Sequence, residues 1–395
     1  MSPVPRYKPF AGPAVFTQGF RPFFLFAAVH AALAVPVWLA LRAGLFDLPT
    51  LWTPQHLHAH EMLFGYLGAV VAGFLLTAVP NWTGRLPLQG FPLIGLVALW
   101  VAARSAAPFS GLLGPIAWAA VALAFPLALL AAIAREIVAG RNWRNLKVLV
   151  ILALLLAADL GYHVEIALRG QPLYAQRVAS AAMVMLVGLI GGRIVPSFTL
   201  NRLRPRGGRL PVPFDRLDSA AMIAGAAALV AWTLRPDATA AALLAMVAGI
   251  LHLVRLARWA GDRTVREPIL LVLHLAYAFI PLGFLLVAAE ALTAAVGPAA
   301  AVHAWGVGAF GLMPLAVMTR ASLGHTGRAL SADVVTVTGY AAMFAAGLLR
   351  IGAATAMPWA EPLLLSSAAA WCAAFAAFLI GFGPILTQPA FRRPA

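Results

Sequence analysis

Long apolar runs broken by short polar stretches make up most of the chain. A helix needs about 20 mostly apolar residues to cross a hydrocarbon core of roughly 30 Å. Twelve such runs are legible. Six lie at approximately 23–41, 58–79, 91–107, 112–134, 147–168 and 176–197, and six at approximately 215–234, 239–258, 268–290, 299–320, 332–354 and 360–386. They are continuously apolar and do not alternate with a period of two, which argues against strands. The first follows a 22-residue leader containing Pro and is too long for the apolar stretch of a signal peptide, so it is read as a helix. The pattern predicts an all-α polytopic integral membrane protein of about twelve transmembrane helices. It forms a single membrane domain, 1–395, with pseudo-halves 1–200 and 215–395 joined by the basic stretch NRLRPRGGRLPVPFD, Asn201 to Asp215. A 6+6 layout is common among transporters, but no sequence repeat relates these halves.

Composition narrows the class. Hydrophobic residues make up 62% of the chain and charged residues 10%, against about 25% charged in soluble domains. Disorder, collagen, coiled coil and disulfide scaffolds are thereby excluded. The single cysteine, Cys372, rules out an internal disulfide and Cys-based zinc or iron–sulfur sites, leaving His, carboxylate or Met for any metal. The net charge of +15 is not a nucleic-acid signature, because the basic residues sit in short loops between runs. With the N-terminus inside, 22 of the 28 basic residues fall on the inner side, Arg6, Lys8, Arg392 and Arg393 among them. Arg42, Arg104, Arg169, Arg177, Arg235 and Arg350 remain outside. This bias predicts cytoplasmic N- and C-termini.

Titratable groups within a bilayer are costly and are functional candidates by default. His56, His58 and His60 stand at the outer start of the second run, in HLHAHE. His163 lies about 24 Å along the fifth run at 1.5 Å per residue, and His303 begins the tenth. Five His thus converge on one depth, with Glu61 and Glu165 as carboxylates at the same level. His58 and His60 are two residues apart, so a regular helix would point them about 200° apart, toward two centres. One centre is served if the helix starts only after His58. Asp159 precedes His163 by four residues and is placed to orient its ring. His30, His252 and His274 form a looser set on the inner side, with His325 just beyond the tenth run. The inner-end segments GFRPFF, TAVPNWTGR, GGRIVPSFTLNR and VMTRASLGHTGR carry Arg21, Arg85, Arg193, Arg320 and Arg328. These are suited to an anionic group such as heme propionates, or to lipid headgroups. No Walker A, GxGxxG, HExxH or GxSxG motif is present.

The same segments carry a family resemblance. GFRPFF, HAHEMLFGY with GFLLTAVPNWTG, LGYH, GGRIVPSFT, LHLAYAFIPLG and HAWGVGAFGLMPLAVMTRASLGHTGR together resemble the NnrS family of bacterial inner-membrane proteins. The resemblance implies a multi-pass protein of the bacterial inner (cytoplasmic) membrane that contains heme and copper and acts in the nitric oxide response and denitrification. Carried over by position, the family's histidines fall on His58, His60, His163, His274, His303 and His325, and its H-x-H-E ends on Glu61. Heme or copper binding is expected from this set with Arg21, Arg193 and Arg320, and metal ligation from His58, His60, His163 and His303.

Two functions compete at this level. One is a heme/copper redox enzyme that binds and transforms nitric oxide or a related small nitrogen species, with Glu61 or Glu165 supplying protons. No soluble redox domain is legible, so its electrons would come from quinol or a separate redox protein. The other is a transporter or copper-handling protein whose outer His cluster is an uptake site. Membrane lipids are the surrounding partner in either case, and no nucleic acid is expected.

Overall fold

Hydrocarbon offers backbone N–H and C=O groups no partners, so a chain of this composition must satisfy them within helices. The computed structural model describes residues 10–293, 296–355 and 357–389; Arg6, Lys8, Arg392 and Arg393 of the charge count lie outside these. Among the described residues twelve helices are long and apolar enough to cross a membrane, and no strand is present. They are α1 (Phe20–Arg42), α2 (Pro54–Thr83), α3 (Phe91–Leu113), α4 (Pro115–Ala139), α5 (Trp143–Arg169), α6 (Leu173–Arg206), α7 (Arg216–Leu234), α8 (Thr239–Ala257), α9 (Pro268–Thr293), α10 (Ala299–His325), α11 (Val334–Thr355) and α12 (Ala360–Thr387).

Capping explains where these helices depart from the hydropathy pattern. α2 begins four residues ahead of the apolar run, because Thr53 accepts the His56 N–H at 3.3 Å and Pro54 occupies the first turn. HLHAHE therefore lies inside the helix. α6 runs on through Arg206, absorbing the first part of the basic stretch. Two helices contain a wide turn directly after a histidine. Residues Glu61–Tyr66 of α2, after His60, and Ala304–Ala309 of α10, after His303, are π-helical. Such turns are frequent at functional sites, since the extra residue re-aims side chains.

The chain divides into two compact units. The first comprises the chain through Ala179 with 321–329 and the chain from Phe378; the second comprises 180–320 and 330–377. The division falls within α6, α10 and α12 rather than in the polar loop near 201–215. In the first unit an aromatic core of Trp52, Phe64, Trp118 and Tyr162 packs with Leu57 and Ala179. Arg21 is buried there, and its Nη1 donates to the carbonyls of Ile385, Leu386 and Gln388 at 3.1, 3.2 and 2.6 Å. It closes the C-terminal turn of α12, where carbonyls lack helical partners.

The second unit is built around another buried arginine. Arg255 donates from Nε to Asp218 at 2.9 Å, and from Nη1 to Tyr277 Oη at 2.8 Å and the Gly188 carbonyl at 3.2 Å. Tyr277 is also 2.8 Å from His252 Nδ1, so the network joins α6, α7, α8 and α9. At its edge Asp215 caps α7, accepting the N–H groups of Leu217 and Asp218, and pairs with Arg258.

Two outcomes follow. Asp218→Ala leaves Arg255 buried without its anion, and loss of one member of such a pair costs roughly 3–5 kcal/mol, readable as a large drop in the detergent unfolding midpoint. Asp215 has its pKa held down to about 2, chiefly by the hydrogen bond from Arg258. A depressed carboxylate stabilises above its unfolded pKa, near 3.9, and loses that contribution as pH falls through the folded value. The stability gap between the wild type and Asp215→Asn should be constant above about pH 5 and shrink between about pH 4 and 2.

Candidate metal centre

Helical spacing on α2 decides which histidines can meet. Because the helix already runs through Pro54, His58 and His60 point apart, and only one enters the core. His58 stacks on Trp38 of α1, with centroids 4.4 Å apart and planes 25° apart. His60 is completely buried, at 0% exposure, and faces α5. On α5, Asp159, Tyr162 and His163 stand at i, i+3 and i+4 and so share one face. His60 Nε2 lies 2.9 Å from Asp159 Oδ1, and His163 Nε2 lies 3.8 Å from the same oxygen. His60, Asp159 and His163 each offer one ligand atom within 4.8 Å of the others, and all three are buried. His163 Nε2 has no hydrogen-bond partner. A buried imidazole nitrogen left this way calls for an explanation.

Aromatic rings enclose the group. Around His60 the centroids of Trp52, Phe64, Tyr162 and Trp118 stand at 4.8, 5.0, 5.4 and 5.8 Å. Trp52 and Trp118 also lie 5.0 and 5.6 Å from His163. Trp52 reaches in from the segment preceding α2, which Ser110 holds by accepting the Leu51 N–H at 3.1 Å. The Trp118 indole N–H is buried and has no acceptor. Water is displaced from such a shell, and electrostatic interactions inside it are correspondingly stronger.

Glu61 sits behind His60 rather than among the ligand atoms. Its Oε1 accepts from His60 Nδ1 at 3.1 Å and from Arg104 Nη1 at 2.9 Å. His30 Nε2 lies 3.4 Å from Oε2 and 3.3 Å from the Glu61 carbonyl. The depth argument put His30 on the inner side, away from Glu61. The earlier start of α2 moves Glu61 about two turns into its helix, to the level of the middle of α1.

Several expectations need correction. Asp159 does not serve His163 alone; its closer partner is His60, and its carboxylate is one of the three groups that could hold a metal ion. Glu165 is not gathered into the centre, because its Oε2 accepts the N–H groups of Tyr174 and Ala175 at 2.9 and 3.3 Å and caps the start of α6. Arg21 donates to the carbonyls at the end of α12. His58 faces Trp38 and not His60's partners. The remaining candidates have other neighbours. His303, in the second unit, donates from Nδ1 to the Ala299 carbonyl at 2.7 Å. His274 there meets Thr199 Oγ1 at 2.9 Å; that hydroxyl donates to the Val195 carbonyl, so Nε2 carries the proton. Arg193 is half-buried on α6, and the Arg320 guanidinium lies 4.0 Å above the Phe198 ring. His325 is exposed at the end of α10, its ring 5.6 Å from Phe20.

The fold and this site define a class: a polytopic all-α membrane protein with a buried His–His–carboxylate group between two helices of its first unit. A family model described as NnrS protein matches residues 14–390, and the chain belongs to the NnrS family. A search of the curated proteins finds no match.

The geometry separates the histidines by experiment. If the group holds a copper ion, His163→Ala and Asp159→Ala each abolish stoichiometric binding by the purified protein, measured by equilibrium dialysis, whereas His58→Ala retains it. Retention in the first two and loss in the third would place the ligands elsewhere.

Proposed function

We propose that this protein is a copper-binding protein of the bacterial inner membrane, acting in the nitric oxide response, with nitric oxide or a related small nitrogen species received at the His60–Asp159–His163 group. The observation that carries the reading is the buried, unpartnered Nε2 of His163, beside a second imidazole and a carboxylate. Charge supports it. Asp159 and Glu61 are buried carboxylates; Arg104 meets Glu61, and Asp159 meets the imidazoles of His60 and His163. A cation held beside Asp159 would compensate its buried charge, since buried charges persist only when compensated. Imidazole and carboxylate donors suit copper.

In this reading His60 Nε2, His163 Nε2 and Asp159 Oδ1 hold the ion. Glu61 holds the Nδ1 proton of His60, the arrangement that orients a ligating ring. Trp52, Phe64, Trp118 and Tyr162 keep water out. Copper supplies, when bound, a redox-active cation with affinity for nitric oxide. Nitric oxide is small and nearly apolar, and it reaches a centre at this depth through the lipid. Electrons for a turnover would come from quinol or a separate redox protein. The complete burial of His60 disfavours an open uptake site for copper transport.

Heme does not fit the same place, since four rings and two carboxylates crowd His60 and leave no plane for a porphyrin. For heme the residue favoured is His303. Its Nδ1 donates to the Ala299 carbonyl at 2.7 Å, a bond that would orient the ring for such a role.

Metal analysis and the absorption spectrum of the purified protein test both assignments. We expect copper that disappears in His163→Ala and a heme Soret band that survives there but is lost in His303→Ala. Copper-free wild type contradicts the centre; a Soret band lost in His163→Ala and kept in His303→Ala contradicts the separation of the two groups.

A further inference from the structure

Arg104 lies on the side that the charge bias leaves poor in basic residues, yet it does not face solvent: its side chain is 10% exposed. Unlike Arg21, which gathers three carbonyls, Arg104 makes its ion pair to Glu61 Oε1, and its Nε is buried without a hydrogen-bond partner. A guanidinium held in this way is fixed by the carboxylate it meets. That carboxylate oxygen also receives His60 Nδ1.

The wide turn of α2 is shaped to admit it. Trp100, one turn before Arg104 on α3, donates its indole N–H to the Gly65 carbonyl at 2.9 Å, so the same face of α3 grips the turn at two points. Gly65 stands one turn after Glu61, and a Cβ there would lie 2.4 Å from Arg104 Nη1 and 3.0 Å from His30 Nε2. No side chain larger than hydrogen leaves the guanidinium where it is.

We propose that Arg104 is a positioning residue for the metal centre: seated in the space over Gly65, it fixes the Glu61 carboxylate, which holds the proton on His60 Nδ1 and so turns Nε2 toward Asp159 and His163. This rests on the metal reading above. It assigns Glu61 a place behind the ligand, neither coordinating the ion nor delivering protons, and it gives the glycine of the wide turn a function.

The test uses the full-length protein in detergent with Arg104→Gln, Gly65→Ala and the double variant. Gly65→Ala is the milder probe, because alanine suits a helix and only the flexible tip of Arg104 must move. One readout is copper(II) affinity together with the electron paramagnetic resonance hyperfine splitting of the bound ion. Both single variants should weaken binding about 10–100-fold, the usual effect of losing a partner behind a ligand, and alter the splitting. The double variant should be no weaker than Arg104→Gln alone. The second readout needs no metal: the ¹⁵N-resolved Nδ1 proton of His60 should be seen in the wild type and be shifted or lost in both single variants. Unchanged affinity and splitting in Arg104→Gln would overturn the proposal, as would further weakening by Gly65→Ala in the double variant. If wild type takes no copper, the metal reading fails by itself and the His60 signal decides: a change in Arg104→Gln supports the positioning role, and an unmoved signal overturns it.

Discussion

A fully buried imidazole held between two carboxylates is the constraint on which the first unit depends. His60 touches Glu61 through Nδ1 and Asp159 through Nε2, at 3.1 and 2.9 Å. Both carboxylates sit in spans, where an ionised group is tolerated only with a partner. The partners come from three helices besides α2: α1 supplies His30, α3 supplies Arg104 and α5 supplies Asp159 itself. Removing His60 would leave the Glu61 carboxylate with Arg104 and His30, and the Asp159 carboxylate with His163. The aromatic shell then acts in two ways. It supplies the apolar packing of the unit, and it lowers the local dielectric so that each polar contact is stronger than it would be in water.

The second unit offers an instructive contrast. Arg255 is as deeply buried as His60, but its contacts run to a carboxylate, a tyrosine and a backbone carbonyl, and the Tyr277–His252 pair extends the chain. Asp218 meets Arg255 through one oxygen and Arg258 through the other, and the network fixes how four helices pack. Around His60 the Asp159 carboxylate meets two imidazoles, and two polar atoms, His163 Nε2 and the Trp118 indole N–H, have no hydrogen-bond partner. A satisfied network specifies packing; an unsatisfied one points to a ligand.

Much of this was legible in the sequence. Twelve apolar runs gave twelve helices, because hydropathy and span length are properties of single segments. Of the five His placed at one depth, His60 and His163 meet, and the pairing of Asp159 with His163 followed from a spacing of four. What escaped was set by helix starts and by neighbours distant in sequence. Thr53 and Pro54 lengthen α2 upstream, which separates His58 from His60 and brings Glu61 level with His30. Arg104 looked like one of six outer basic residues, and only the packing of α3 against the wide turn shows its partner. Glu165 and Arg21 looked functional because they are charged near spans, but helix ends need capping, and each caps one.

The central claim is that His60, His163 and Asp159 are the ligands of one copper ion. X-ray absorption at the copper edge of the loaded wild-type protein measures it most directly. The account predicts a nitrogen/oxygen shell with the scattering of two imidazoles, falling to one or to no bound copper in His163→Ala. A shell containing sulfur, or two imidazoles that persist in His163→Ala, would contradict it.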